Sequence, residues 1–221
     1  SANTQVHYYK VFHHCLNSAV IDEIITSNPM DKIKNEEKPK RRRTERAFLT
    51  IDELKILSQT DFHNATLKKA FLFSCFCGLR HSDIVALTWG NLKKGKVGKM
   101  ELHMTQQKTQ EILSLPLSKE ALKQLPVRGK VPDTEKVFKG LISLGRTNEI
   151  LPKWAAKAGI QKHITFHSAR HTHATMMITL GADLYTVSKL LGHTNIQTTQ
   201  IYAKIVDESK EKAIDLIPDI T

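Results

Sequence analysis

Apolar residues recur near helical spacing over residues 5 to 26, at Tyr9, Phe12, Leu16, Ala19 and Ile24, and the pattern stops before Asn28-Pro29. This predicts one amphipathic helix. A single helix cannot bury its own apolar face, so it reads as the last helix of a domain whose earlier part is missing from this chain. Periodicity then vanishes across DKIKNEEKPKRRRTERA, which predicts a linker. A second domain opens at Thr50, where Thr50 and Glu53 have the spacing of a capping box ahead of an apolar run. A longer helix follows from about His63 to Cys77, ended by Gly78, and HSDIVAL gives a short one. From Thr88 to Leu117 the texture changes: Met100, Leu102 and Met104 alternate, EILSLPL is rich in branched residues, and QQKTQ lies between them. Two or three antiparallel strands are predicted, the last two joined by that turn. Helical patterns resume at about 118–125, 146–158, 167–180, 183–191 and 196–203. The predicted class is mainly α with a small antiparallel β-sheet inserted, an α+β arrangement. The closing DESKEKAIDLIPDIT reads as a charged helix with an apolar end, Ile214, Leu216 and Ile217, that docks on its own or a neighbouring subunit.

Composition narrows the partners. With 221 residues, 40% of them apolar, the chain can bury a substantial core. No apolar run approaches the ~20 residues of a bilayer span, and no secretory signal opens the chain, so a soluble, cytoplasmic protein without a membrane partner is expected. Cys15, Cys75 and Cys77 are too few and too oddly numbered for a disulfide framework; Cys75 and Cys77 fall in an apolar run and read as small core residues. The excess of 33 Lys and Arg over 22 Asp and Glu, +11, points to a polyanion, nucleic acid before anionic membrane. Lys38, Lys40, Arg41, Arg42, Arg43 and Arg46 concentrate that charge in the linker, as a solvated spacer or as a strap along a phosphate backbone.

Three short stretches carry candidate chemistry. In FHSARHTHATMMITLG, His167 and Arg170 share one helical face, with His171 one turn beyond His167. The two histidines could grip a zinc ion, but Ser168 stands where a zinc helix carries glutamate, and Arg170 would repel the metal. Alternatively Arg170 and His167 bind a phosphate oxygen, the arginine as a permanently charged fork. Arg80 follows Gly78-Leu79 at a helix boundary with Asp83 three residues on, placed to orient it. Taken singly, each of these, like Lys108 in its turn, is ordinarily a surface or packing residue. No phosphate-binding Walker loop and no acidic cluster for paired metals occurs, so phosphate chemistry would run without nucleotide, metal or other cofactor. Two arginines, histidines, a lysine to protonate a leaving oxygen, and Tyr202 as nucleophile would suffice. A phenol with an ordinary pKa of ~10 needs a base or nearby positive charge to attack at neutral pH.

These residues, in this order, resemble the catalytic domain of tyrosine recombinases, the phage-integrase group that includes integrases of bacterial mobile elements. GLRHSDIVALTW is similar to the family's first arginine motif, QQKTQEILSLPLS to its lysine hairpin, HSARHTHAT to H-x-x-R-H, and LGHTNIQTTQIYAKI to L-G-H followed by T-T and Y. The resemblance covers the chain from about Ala47 to its end and implies Arg80 and Arg170 as clamps, with Asp83 supporting the first. It further implies Lys108 as general acid, His167 and His193 as phosphate-binding histidines, His171 as a supporting residue and Tyr202 as nucleophile. By the same resemblance, residues 1–30 are the last helix of a truncated core-binding domain, 31–46 a basic linker and 47–221 the catalytic domain. The implied activity is site-specific recombination of double-stranded DNA through a 3′-phosphotyrosine, by a protein that forms a tetramer on DNA. A type IB topoisomerase-like enzyme and an inactive DNA-binding relative are the alternatives.

Overall fold

A computed structural model describes residues 1–42, 46–95 and 98–202. The chain divides into two compact units, Ser1–Glu45 and Arg46–Thr221. Arg43 and the apolar end at Ile214, Leu216 and Ile217 lie outside the described residues.

In the first unit, helix α1 spans Ala2–Ile21, with the Ser1 side chain accepting from the Thr4 amide. It ends about five residues earlier than its periodicity predicts. Glu23 adopts a left-handed φ of 56°, and the amides of Ile24 and Ile25 both fold back to the Ala19 carbonyl, which closes the helix before Ile24 can join the stripe. The apolar face is not buried: no α1 residue is buried, and Tyr8, Val11, Phe12 and Ile21 are exposed. The expected linker is tied back onto the helix. Asn28 donates to the His13 carbonyl and to Asn17, and Asn3 exchanges two hydrogen bonds with the Arg42 backbone, at 3.0 and 2.9 Å. A short 3₁₀ turn, Pro29–Lys32, buries Met30 beneath it.

The second unit begins with α2, Ile51–Gln59, on the capping box expected at Thr50 and Glu53: the Thr50 amide donates to Glu53 at 2.8 Å and the Glu53 amide to Thr50 at 3.2 Å. Helix α3, Ala65–Cys77, starts on an Asn64 cap and is apolar on nearly every side, so it runs through the centre of the core, Cys75 and Cys77 included. Gly78 ends it in the left-handed conformation. A short α4, His81–Ala86, leads into a three-stranded antiparallel sheet in the order β1 (Leu92–Lys94), β2 (Met100–Thr105), β3 (Ile112–Pro116). Leu102 pairs with Leu92 and Leu115, and the alternation turns Leu102, Met104, Leu113 and Leu115 inward. Helices α5 (Lys119–Lys123), α6 (Leu144–Lys157), α7 (Phe166–Thr179) and α8 (Leu184–Leu191) follow. Phe71 of α3 sets its ring edge-on to both Trp154 of α6 and Phe166 of α7, fixing α7 against the central helix. The predicted helix at 196–203 is instead two 3₁₀ turns, Ile196–Thr198 and Gln200–Tyr202. Asn195 caps the first through the Gln197 amide, and Thr199 interrupts the run. Among the described residues no helix is long and apolar enough to cross a membrane.

Candidate active site

The central helix stops at Gly78, and the backbone turns through Leu79 so that Arg80 stands at the start of α4. Asp83, fully buried, accepts from the Arg80 amide at 3.2 Å and lies 3.8 Å from Arg80 Nη1. The other Asp83 oxygen accepts from the Gln107 amide at 2.8 Å. One carboxylate therefore joins the first arginine to the turn that carries Lys108. Arg80 Nη1 is itself buried with no hydrogen-bond partner among the described residues, an arrangement that costs free energy until an acceptor arrives.

Helix α7 supplies the second arginine from a buried position. Arg170 Nη1 donates to the Gly78 carbonyl and Nη2 to the Leu191 carbonyl, both at 2.7 Å. These carbonyls close the C-terminal ends of α3 and α8, where the helix dipoles favour a cation. Burial, then the neighbouring Arg80, lowers the Arg170 pKa to about 10, so the guanidinium stays charged at neutral pH. The approach is close: a Cβ on Gly78 would stand 2.8 Å from Leu191 and 2.9 Å from the His173 ring.

The histidines around this pair are held neutral. Burial, and next the Arg170 charge, bring His167 and His193 down to about 4, with Arg80 and Arg46 acting on both and Lys108 on His167. His171 falls to about 3 through burial, then His167 and Arg46. The rings of His167 and His171 meet edge-on with centroids 4.7 Å apart. His193 Nδ1 bonds Thr199 Oγ1 at 2.8 Å, and Thr199 in turn accepts the Tyr202 amide through its carbonyl at 3.0 Å. Tyr202 is only 6% exposed and packs with Ala174, Ile178, Val187 and Leu191. Its phenolic oxygen lies 2.6 Å from His171 Nδ1. Burial pushes the phenol up to about 12 against the opposing pull of Arg170 and Arg46.

The predicted site residues on α4, the hairpin turn, α7 and the final turns thus converge. Lys108, exposed in its turn, acts on His167 through its charge. Of the basic stretch, Arg46 belongs to the second unit and bears on His167, His171, His193 and Tyr202, whereas Lys38, Lys40, Arg41 and Arg42 belong to the first. Among the described residues no group of three His, Cys, Asp or Glu side chains is placed to hold a metal ion. Sequence reasoning missed three contributors. In the sequence Arg46 stands out only as part of the strap, yet its charge bears on the site histidines and Tyr202. His173, 3% exposed, has neither ring nitrogen in a hydrogen bond among the described residues. Gln106 is wholly buried at the start of the lysine turn; its signal in the sequence is a polar residue where the inward alternation of Leu102 and Met104 continues.

The site therefore gathers two guanidinium groups, neutral imidazoles and a phenol, an arrangement that receives an anion rather than a cation. The family model described as the phage integrase family matches residues 47–209. The chain belongs to that family. Its relatives include a tyrosine recombinase of Pseudothermotoga lettingae, 30% identical over 203 residues that cover 90% of this chain and 69% of the relative. The tyrosine recombinase XerC of Caldanaerobacter subterraneus subsp. tengcongensis is 30% identical over 207 residues, covering 89% of this chain and 57% of that protein. This phage-integrase-family chain is thus a tyrosine site-specific recombinase that spans only part of the length of such relatives. In fold it is similar to a lambda integrase (75–356) dimer bound to a COC′ core site, with a TM-score of 0.70, 19% identity, and coverage of 91% of this chain and 73% of that one. It is also similar to the Tn1549 transposon integrase (82–397) in complex with circular intermediate DNA, at a TM-score of 0.69, 18% identity, and coverage of 91% and 75%.

Proposed function

We propose that this recombinase cuts and rejoins double-stranded DNA through a covalent link between Tyr202 and a 3′ phosphate, as the integrase of a mobile element. The observation that carries the reading is the buried Nη1 of Arg80, a charged donor with no hydrogen-bond partner among the described residues, close enough to Arg170 to lower its pKa. The nonbridging oxygens of a phosphodiester supply the missing acceptors. Arg80 and Arg170 hold the phosphate between them, and His167 and His193 add hydrogen bonds as neutral donors. The phenol of Tyr202 gives up its proton to the His171 Nδ1 that faces it at 2.6 Å, its oxygen bonds to phosphorus, and the bond from phosphorus to the 5′ oxygen breaks. Lys108 donates a proton to that departing oxygen, leaving a 5′-hydroxyl. Bond energy is kept in the phosphotyrosine, so the reverse attack by a 5′-hydroxyl reseals the strand without a high-energy cofactor.

On this reading Arg46–Thr221 is the catalytic domain and Ser1–Glu45 the end of a core-binding domain with its basic strap, whose Lys38, Lys40, Arg41, Arg42 and Arg43 contact the DNA backbone. Exchange of strands needs four active sites, hence a tetramer on DNA. The lambda and Tn1549 integrases are bound to DNA in their structures, which supports the partner assigned here. The test is an SDS-stable protein–DNA adduct formed in EDTA on nicked duplex from a randomised pool, comparing wild type with Tyr202→Phe. An adduct from wild type alone is expected. Adduct from the Phe variant, or none from wild type while DNA is bound, overturns the assignment.

A further inference from the structure

Lysine has a long, freely rotating side chain, and Lys108 stands exposed in a five-residue turn. A proton donor that must meet one oxygen needs its backbone held, because small misplacements in such a site are expensive in rate. The turn closes on itself by two backbone bonds, from the Gln106 amide to the Glu111 carbonyl at 2.8 Å and from the Gln110 amide to the Gln106 carbonyl at 2.9 Å. Those bonds shape the turn but do not fix it against the rest of the site. Two other contacts do. The Gln107 amide reaches Asp83, and the Gln106 side chain reaches the Leu191 carbonyl at 3.2 Å.

The Leu191 carbonyl is the same oxygen that receives Arg170 Nη2. A carbonyl only accepts, so the Gln106 amide must present Nε2 there and Oε1 on its other side. Thr109 Oγ1 donates to that Oε1 at 2.9 Å, completing a chain from the lysine turn to the second arginine. The approach requires Gly192: its φ is 63°, and a Cβ there would lie 2.8 Å from Gln106 Nε2. Gln106 is wholly buried, where an apolar side chain would serve packing better and an unpaired amide would destabilise the fold. An amide is kept in the core here, bonded to the atom that also seats the arginine.

We infer that Gln106 is a positioning residue for the general acid: by tying the turn to the Leu191 carbonyl, it sets Lys108 in register with Arg170 and with the loop bearing His193. The inference rests on the reading of Lys108 as the proton donor to the 5′ oxygen. It separates from a purely structural role because the leaving group can be changed. A duplex whose scissile phosphate is bridged to the 5′ carbon by sulfur instead of oxygen expels a thiolate, which needs no proton because thiols ionise far more readily than alcohols.

The experiment uses the nicked duplex that the wild-type chain selects from a randomised pool by forming its adduct, made with oxygen or with sulfur at the bridge. Adduct rates are compared for wild type, Lys108→Ala, Gln106→Met and Thr109→Val. Gln106→Met preserves length and bulk without the amide, and Thr109→Val removes only the hydroxyl that orients it. On the oxygen duplex the Gln106 variant is expected to be slower by about 10- to 100-fold and the Lys108 variant by about 100-fold or more. On the sulfur duplex both return to within a few-fold of wild type, and Thr109→Val shows the same recovery from a smaller loss. Equal losses of Gln106→Met on the two duplexes, or none on either, overturn the inference; if that variant does not fold, the same comparison for Thr109→Val decides. Failure of Lys108→Ala to recover on sulfur removes the lysine from the acid role, and the inference with it. A wild-type chain that forms no adduct overturns the functional reading itself.

Discussion

The phenolic oxygen of Tyr202 lies 2.6 Å from Nδ1 of His171, a short bond between a buried phenol and a buried imidazole. With the phenol raised to about 12 and the imidazole lowered to about 3, both partners are neutral at physiological pH, and the phenol keeps its proton. Before DNA binds, the contact holds the side chain in the apolar cluster of α7 and α8.

Tyr202→Phe should therefore keep the fold and lose stability by about 1 kcal/mol, the net worth of one buried hydrogen bond. In a double-mutant cycle with His171→Leu, urea titrations should show a coupling of ~0.5–1.5 kcal/mol. Additive losses would mean that the two side chains are neighbours without a bond.

Arg80→Ala should reduce the rate of adduct formation by about 10²–10³, the scale of losing one preorganised donor at a developing charge. Stability should fall as well, because the fully buried Asp83 loses the guanidinium that stands 3.8 Å from it. The salt dependence of DNA affinity should decline by about one phosphate contact. A variant with unchanged cleavage would remove Arg80 from the clamp.

His167, His193 and His173 sit at about 4 in the fold, against 6.5 for an unperturbed ring. Between those values the unfolded chain binds protons that the folded chain refuses. Stability is thus fully present above pH 6.5 and is lost as pH falls toward 4. His173 is the deepest of them and alone accounts for roughly 3 kcal/mol at most over that window. His173→Phe should flatten the acid limb of a melting-temperature profile; an unaltered slope would assign the loss to other groups.

Gly78→Ala places a Cβ 2.8 Å from Leu191 and 2.9 Å from His173 at a φ of 73°. Left-handed strain and overpacking together should destabilise by about 2–4 kcal/mol. Gly98→Ala, at a φ of 75° with no described atom within 4 Å of the new Cβ, isolates the backbone part and should lose only about 1–2 kcal/mol. Equal losses in the two variants, measured by urea titration, would mean that crowding against α7 and α8 contributes nothing.

Where a local rule decides the backbone, the sequence is a sufficient guide. Thr50 and Glu53 cap α2 as their spacing requires, Gly78 stops α3, and the inward alternation of Leu102 and Met104 marks β2. Helix α1 misleads because Ile24 falls near the stripe although the chain has already turned at Glu23, a residue type with no preference for a positive φ. The stretch from Ile196 to Tyr202 misleads because helical spacing does not separate one α-helix from two 3₁₀ turns; the Asn195 cap and the Thr199 bond to His193 choose the latter. Arg80, Lys108, His167, Arg170, His193 and Tyr202 carry their signal in side-chain type and order. Gln106 shows only as a polar residue continuing the inward alternation of Leu102 and Met104, and His173 carries no signal, since its place depends on two helix ends meeting across the core.

Arg170 donates to the Gly78 carbonyl that caps α3 and to the last carbonyl of α8, so one guanidinium closes both helices as well as serving the site. Such a group cannot be dispensed with in stages. A lineage of this fold that gave up strand cleavage while keeping its grip on DNA would be free to shed the Tyr202 hydroxyl early, since it anchors no helix end. Arg170 would outlast the chemistry, surviving as architecture in a protein that no longer cuts.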